Sequence, residues 1–314
     1  MNDEDTSGNL VKTKHRRVSV ILLVITTVLW GTTFTITKTL TTEVMPPFFY
    51  MGLRFLIATL GFLPFMMKFK KLDIYSLKVS AFSGFLYFAS NITQTLGLAY
   101  TTPSKAGFLT GINVILVPVF LAIFFKKKVK KTIWIAVILA IVGTYILSFS
   151  GIEGVSIGDP LIIACAVLYA WYIIYIDKHT RKIDPILFST VQLIFITAFS
   201  FGVSGIFEDW GYILGSGADS IFTTNIILIM VYMGIIATSL TFLFQIFGQQ
   251  HVSSSRTALI FALEPVFATI FAILWGKDVL TLQLVIGSIL IFVGIIISIE
   301  RNNKEENAAS IKHK

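Results

Sequence analysis

Ten runs of roughly twenty mostly apolar residues, separated by short polar stretches, leave this chain few ways to fold. They lie at roughly 18–37, 46–67, 79–98, 104–125, 132–149, 158–176, 185–206, 224–247, 252–275 and 282–299. About 20 apolar residues are enough to cross a bilayer as a helix. A helix is also the open-ended structure that satisfies its own backbone hydrogen bonds in lipid. The expected fold class is therefore all-α integral membrane, with ten transmembrane helices. Composition agrees: 55% of the 314 residues are hydrophobic and 13% charged, far from the balance of a soluble domain. The single cysteine, Cys165, excludes an intrachain disulfide and a thiolate metal cluster. His15, His179, His251 and His313 fall in tails or loop regions, so no metal triad is expected within the membrane.

The 25 Lys and Arg residues orient the thread. With the N-terminus inside and alternating crossings, 21 of them fall on the inner side. Lys38, Lys105 and Lys277 fall outside, and Arg54 lies within the membrane. This bias meets the positive-inside rule and places both termini in the cytoplasm of a cell membrane. The KKKVKK run at 126–131 is then an anchor beside anionic lipid rather than a nucleic-acid patch. The longest loop, 207–222, is external, with Trp210 and Tyr212 at the interface. The tails, 1–17 and 300–314, are expected to be mobile and cytoplasmic.

Sliding the chain against itself by 151 residues aligns Gln94 with Gln245, Gly97 with Gly248 and Ser104–Lys105 with Ser255–Arg256. Val142–Gly143 then meets Val293–Gly294. Shifts of 139 and 138 align Trp30 with Tyr169, and Pro47 and Arg54 with Pro185 and Gln192. The chain thus reads as two five-helix halves, 18–149 and 158–299. Five being odd, the second half enters the membrane upside down. Inverted repeats place a transport site at their interface near the midplane.

Polar residues recur at helical spacing on symmetry-related helices: Tyr87, Ser90, Asn91 and Gln94, then Thr238, Thr241, Gln245 and Gln249. Trp30 and Thr33 share a face, and their partners in the second half are Tyr169 and Tyr172. Facing lipid would strip these groups of hydrogen bonds, so they either bond helix to helix or line a common cavity. Arg54 and Glu264 are the clear intramembrane charges, and such charges face a protein interior or a wet cavity. They either pair with each other or hold the two ends of a zwitterionic or anionic ligand. Asn113 is the repeat counterpart of Glu264. Pro118 and Pro265 are expected to kink their helices and expose carbonyls. The candidate substrate-binding residues are Trp30, Arg54, Tyr87, Asn91, Gln94, Asn113, Tyr169, Tyr172, Gln192, Thr241 and Gln245, with Glu264 as the proton-coupling group.

VLWGTTFTITK (28–38), FYMGLRF (49–55), TTPSKAGFLTGINVILVPVF (101–120) and ALEPVFATIFAILWGKDVL (262–280) together resemble the ten-helix, EamA-type members of the drug/metabolite transporter superfamily. The resemblance runs over about 18–299 and implies ten helices, cytoplasmic termini and export or exchange of a small metabolite through a central cavity. The sequence departs from the family where a glutamate usually follows the ninth helix and its fourth-helix equivalent; Asp278 and Lys127 stand there. No GxxxxGK[ST] or HExxH occurs, which argues against ATP drive and against the polytopic membrane enzyme that is the main rival reading. The expectation is a proton-coupled secondary transporter of an amino acid or similar solute, with an uncoupled facilitator or exchanger as the alternative. The implied partners are the bilayer and a small-molecule substrate, with no cofactor and no nucleic acid. A homodimer is compatible with the sequence.

Overall fold

A computed structural model describes residues 3–62, 64, 72–101, 103–148, 156–274, 281–283 and 285–297. The expected tail 300–314, Lys68, Lys70, Lys71, Lys277 and Asp278 lie outside the described residues. Everything regular among the described residues is helical. The first helix, α1 (Asp3–Gly31), leads into α2 (Thr33–Thr39) and a π-helical turn, Leu40–Val44. Then come α3 (Pro47–Gly61), α4 (Ile74–Tyr100), α5 (Pro103–Gly111), α6 (Asn113–Ile123) and α7 (Lys131–Ser148). Next are α8 (Gly158–His179), α9 (Pro185–Phe207) and two short helices, α10 (Trp210–Leu214) and α11 (Ala218–Ile221). The chain continues through α12 (Thr224–Val231), a π-helical segment Tyr232–Leu240, α13 (Thr241–His251), α14 (Ser254–Phe261) and α15 (Glu264–Leu274). A final helix, α16, spans Val285–Ile297.

Among the described residues, six helical stretches are long and apolar enough to span a bilayer: His15–Val44, Ala106–Ile123, Gly158–His179, Pro185–Phe207, Thr224–His251 and Ser254–Phe271. Pro47–Gly61, Lys131–Ile146 and Val285–Ile297 are shorter apolar helices. Helix α4 has the length, 27 residues, but its buried Ser80, Ser83, Ser90 and Asn91 dilute its apolar character. On the outside, α7 exposes Ile135, Ile138 and Val142, and α16 exposes Ile286, Ile289, Phe292 and Ile296. Rows of exposed aliphatics on a polar-cored bundle mark a lipid-facing surface. The fold is that of a multi-pass α-helical membrane protein.

The N-terminal stretch is helical from Asp3 and continuous with α1. Once Val18–Gly31 is helical, each residue added at its start gains a backbone bond without a new nucleation cost. The 207–222 loop also holds α10 and α11; Asp209 starts α10 by accepting from Tyr212 N.

Packing is mostly between the halves of the chain. Helix α1 lies along α13 and α15, α3 along α9 and the 232–240 segment, and α4 along α8 and α9. The α4–α8 contact is close because Gly97 and Gly158 face each other. A Cβ on Gly158 would sit 2.3 Å from the Gly97 carbonyl oxygen.

Candidate functional site

At the centre of these contacts α1, α2, α3, α4, α5, α8 and α15 enclose a cavity of about 40 Å³. Its walls are Trp30, Thr33, Arg54, Tyr87, Ser90, Asn91, Gln94, Thr110, Cys165, Tyr169 and Glu264. The polar stripe of α4 supplies four of these, as residues three and four apart share a helix face. Trp30 and Thr33 come from the junction of α1 and α2. Gly31 lets α15 approach that junction: a Cβ there would lie 2.8 Å from Ala268 N.

Glu264 is the first residue of α15. Before it, at Ala262 and Leu263, the helix tightens: Leu263 N bonds Ile260 O at 3.0 Å, a three-residue step. Pro265 fits immediately after, since the first turn of a helix has no use for its missing N–H. The start of a helix also favours a carboxylate through the helix dipole. The same break separates α5 from α6 at Ile112, so Asn113 opens α6 as Glu264 opens α15. Pro118 sits inside α6 without ending it.

Arg54 is buried and donates from Nε to Thr238 Oγ1 at 2.8 Å. Thr238 itself bonds Met233 O, five residues back, the spacing of the π-helical segment that presents it. Arg54 and Glu264 line the same cavity but form no ion pair, and Glu264 has no hydrogen-bond partner among the described residues. The terminal nitrogens of Arg54 likewise have none. Around them Gln94 donates to Thr110 Oγ1 (3.3 Å), and Ser90 lies 3.3 Å from Cys165 Sγ. A guanidinium and a carboxyl group, with no ion pair among the described residues, therefore face one small polar space.

Of the candidate residues, Trp30, Arg54, Tyr87, Asn91, Gln94, Tyr169 and Glu264 come together on the wall. Asn113, Tyr172, Gln192, Thr241 and Gln245 do not. Four of these stand one layer behind it. Thr241 accepts from Trp30 Nε1 (3.1 Å), Gln245 donates to the Tyr169 hydroxyl (3.2 Å) and Gln192 to the Tyr172 hydroxyl (2.8 Å). The Tyr172 ring stacks on Tyr169 with centroids 5.5 Å apart. Asn113 is buried with Oδ1 unpartnered. These five stand off the cavity wall in this conformation: helical spacing marks a buried face, and here protein fills it. Thr110 and Cys165 on the wall were missed. Small residues of that kind look like packing residues in a sequence. No group of three His, Cys, Asp or Glu occurs among the described residues that could hold a metal ion.

This architecture defines a class, the multi-pass membrane protein with a charged internal cavity. The sequence model of the EamA-like transporter family matches residues 17–149 and again 156–299, and the chain belongs to that family. A protein of Archaeoglobus fulgidus named as an uncharacterized transporter is 32% identical over 277 residues, covering 88% of this chain and 83% of its own. One of Clostridium kluyveri, named likewise, is 25% identical over 282 residues, covering 85% and 88%. A solved crystal structure superposes with a TM-score of 0.72 at 19% identity, over 93% of this chain and 99% of that one, a likeness of fold alone. The protein is a membrane transporter.

Proposed function

We propose that it is a secondary transporter that exports a small polar or amphipathic metabolite, an amino acid or a similar solute, by alternating access. The observation that carries this reading is the pairing of Arg54 and Glu264 across one cavity without an ion pair between them. A zwitterion supplies both missing partners, its carboxylate to Arg54 and its amine to Glu264. Asn91 and Gln94 supply neutral polar contacts, and Trp30, Tyr87 and Tyr169 an aromatic wall.

The cavity's 40 Å³ holds about one water, while ligand pockets run to roughly 300 Å³ and more. This conformation is thus closed over the site, and loading requires helices to part. Inverted halves give them a way to do so. Under the repeat shifts α1 maps to α8 and α13 to α4, so the α1–α13 contact exchanges with α8–α4. The breaks at Ile112 and Leu263 are 151 residues apart, the same shift. Rocking one half against the other then alternates access between faces. A plasma-membrane setting with cytoplasmic termini follows from the Lys and Arg bias.

Glu264 is the coupling group in this scheme. An unpartnered carboxylate carries its charge at a desolvation cost, which either a proton or a cationic substrate group relieves. Proton and substrate amine therefore compete for it. The test is transport of a panel of labelled amino acids and related solutes in proteoliposomes, with and without a pH gradient. Glu264→Gln is expected to abolish accumulation driven by the gradient while retaining exchange. A variant that still concentrates substrate like the wild type would leave the protein coupled elsewhere.

A further inference from the structure

A second and much larger concavity, about 790 Å³, opens at the end of the bundle that the charge bias assigns to the cytoplasm. It lies between α1, the α6–α7 connection, the turn after α8, and the junction of α13 with α14. Its cations are Arg16, Lys127, Lys128, Lys130, Arg181 and Arg256, and no carboxylate is among the described residues that line it. Asp177 pairs with Arg181 at 2.6 Å and also accepts from Ser254 N and Oγ. Lys127 and Lys128 are exposed and make no ion pair among the described residues. The imidazoles of His15 and His251 also border it, stacked with centroids 5.5 Å apart, and His251 donates from Nδ1 to Phe247 O. Topology alone asks for positive charge near lipid, on the outer flank of the bundle. It does not ask for a concave ring of cations drawn from both halves of the chain.

Such a ring focuses its field into the hollow and raises the local concentration of anions. Polar groups also continue inward from it. One turn beyond Arg16, Ser19 Oγ is buried with no hydrogen-bond partner, and next to Arg256 so is Thr257 Oγ1. Deeper still, Gln245 Oε1 is unpartnered one layer behind the central cavity.

We propose that this basin is an anion-binding site, distinct from the central cavity, which takes the phosphate or carboxylate groups of a soluble small molecule at the cytoplasmic mouth. The site rests on the basin's own residues and stands whether or not Glu264 couples to protons.

The probe is inorganic pyrophosphate, titrated calorimetrically into the full chain in neutral phosphatidylcholine nanodiscs at constant ionic strength. Saturable binding is expected in the wild type. It should weaken at least tenfold in the Lys127→Gln/Lys128→Gln double variant and persist in Glu264→Gln. Both lysines are exposed, and Lys126, Lys130 and Lys131 remain in the same segment, so folding and orientation survive the exchange. Absence of saturable binding in neutral nanodiscs, or binding that ignores the double substitution, overturns the proposal. A second arm adds phosphatidylglycerol without pyrophosphate. If the lipid stabilises the wild type over the double variant while pyrophosphate fails to bind, the basin holds a lipid headgroup, and the soluble-anion assignment is wrong.

Discussion

Glu208 is expected to fix the start of α3, and with it the depth of Arg54. Its carboxylate accepts from Phe48 N at Oε1 and from Phe49 N at Oε2, each at 2.7 Å, and Oε2 also takes the Ser204 hydroxyl at 2.7 Å. These two amides are among the first-turn donors that a helix cannot satisfy internally. Hydrogen bonds to a charged group contribute about 1.5–3 kcal/mol each. In Glu208→Ala, water reaches the half-buried Phe48 amide and recovers part of its bond. Phe49 is 5% exposed, packed edge-on against Trp210 and Phe201, so its amide stays dry. One full bond and a fraction of another come to about 2–4 kcal/mol, with roughly 0.3–1 kcal/mol more from the lost charge at the helix start. At about 2–4 °C per kcal/mol for a large chain, the melting temperature should fall by roughly 5–20 °C. Trp210, beside the contact, reports the transition by fluorescence in detergent. Glu208→Gln keeps one acceptor and should fall between wild type and Ala, while Ser204→Ala should cost only about 1 kcal/mol. If Glu208→Ala melts within about 1 °C of the wild type, water already serves both amides and the argument fails.

Gln94→Leu should impair proteoliposome transport with little loss of stability, because Gln94 faces the cavity. Gln245→Leu should do the reverse, costing about 1–3 kcal/mol by stranding its partners Tyr169 and Gln249; equal effects on both readouts at both sites would refute the two-layer arrangement. Cysteines placed singly at Lys128 and Gly215, in a Cys165→Ser background, should label from opposite sides of the membrane. Labelling of both from one side would end the inverted-repeat reading. Gly158→Ala drives a methyl group against the Gly97 carbonyl, which backbone must move to accommodate, so it should destabilise by about 1–3 kcal/mol. Gly97→Ala, which meets chiefly the flexible Ile162 side chain, should cost less in the same thermal assay.

The sequence announced the membrane and the special place of Arg54 and Glu264, because a charge inside an apolar run is costly enough to need a reason. It also carried the polar face of α4, since a 3.6-residue period survives in one dimension. What it could not carry was what each polar face meets. Gln94 and Gln245 are equivalent in spacing and in repeat position, yet one borders open space and the other a tyrosine hydroxyl. That difference is set by helices far away along the chain. Glu208 shows the same limit: its partners, Phe48 and Phe49, lie about 160 residues earlier, and no local pattern joins them. The π-helical segment at 232–240 left no trace in the residue pattern, which is as apolar as an ordinary span. It is visible only through bonds such as Thr238 Oγ1 to Met233 O.

Cys165 gives this protein a practical character. The chain's one thiol stands in the cavity wall, 2% exposed, against the Ser90 hydroxyl. An unmodified chain therefore carries its own reporter: a hydrophilic thiol reagent has a single position to attack, and the proposed alternating access exposes it only when the helices around it separate. The rate of that reaction from each side is a clock for opening that needs no engineered label. The cost falls on mutagenesis, because a cysteine-free background is never a neutral one here. Replacing Cys165 with Ser puts a second hydroxyl opposite Ser90, and replacing it with Ala removes a contact from the wall. Site-directed labelling of this protein thus begins with an alteration of the cavity it sets out to observe, and both backgrounds have to be carried side by side.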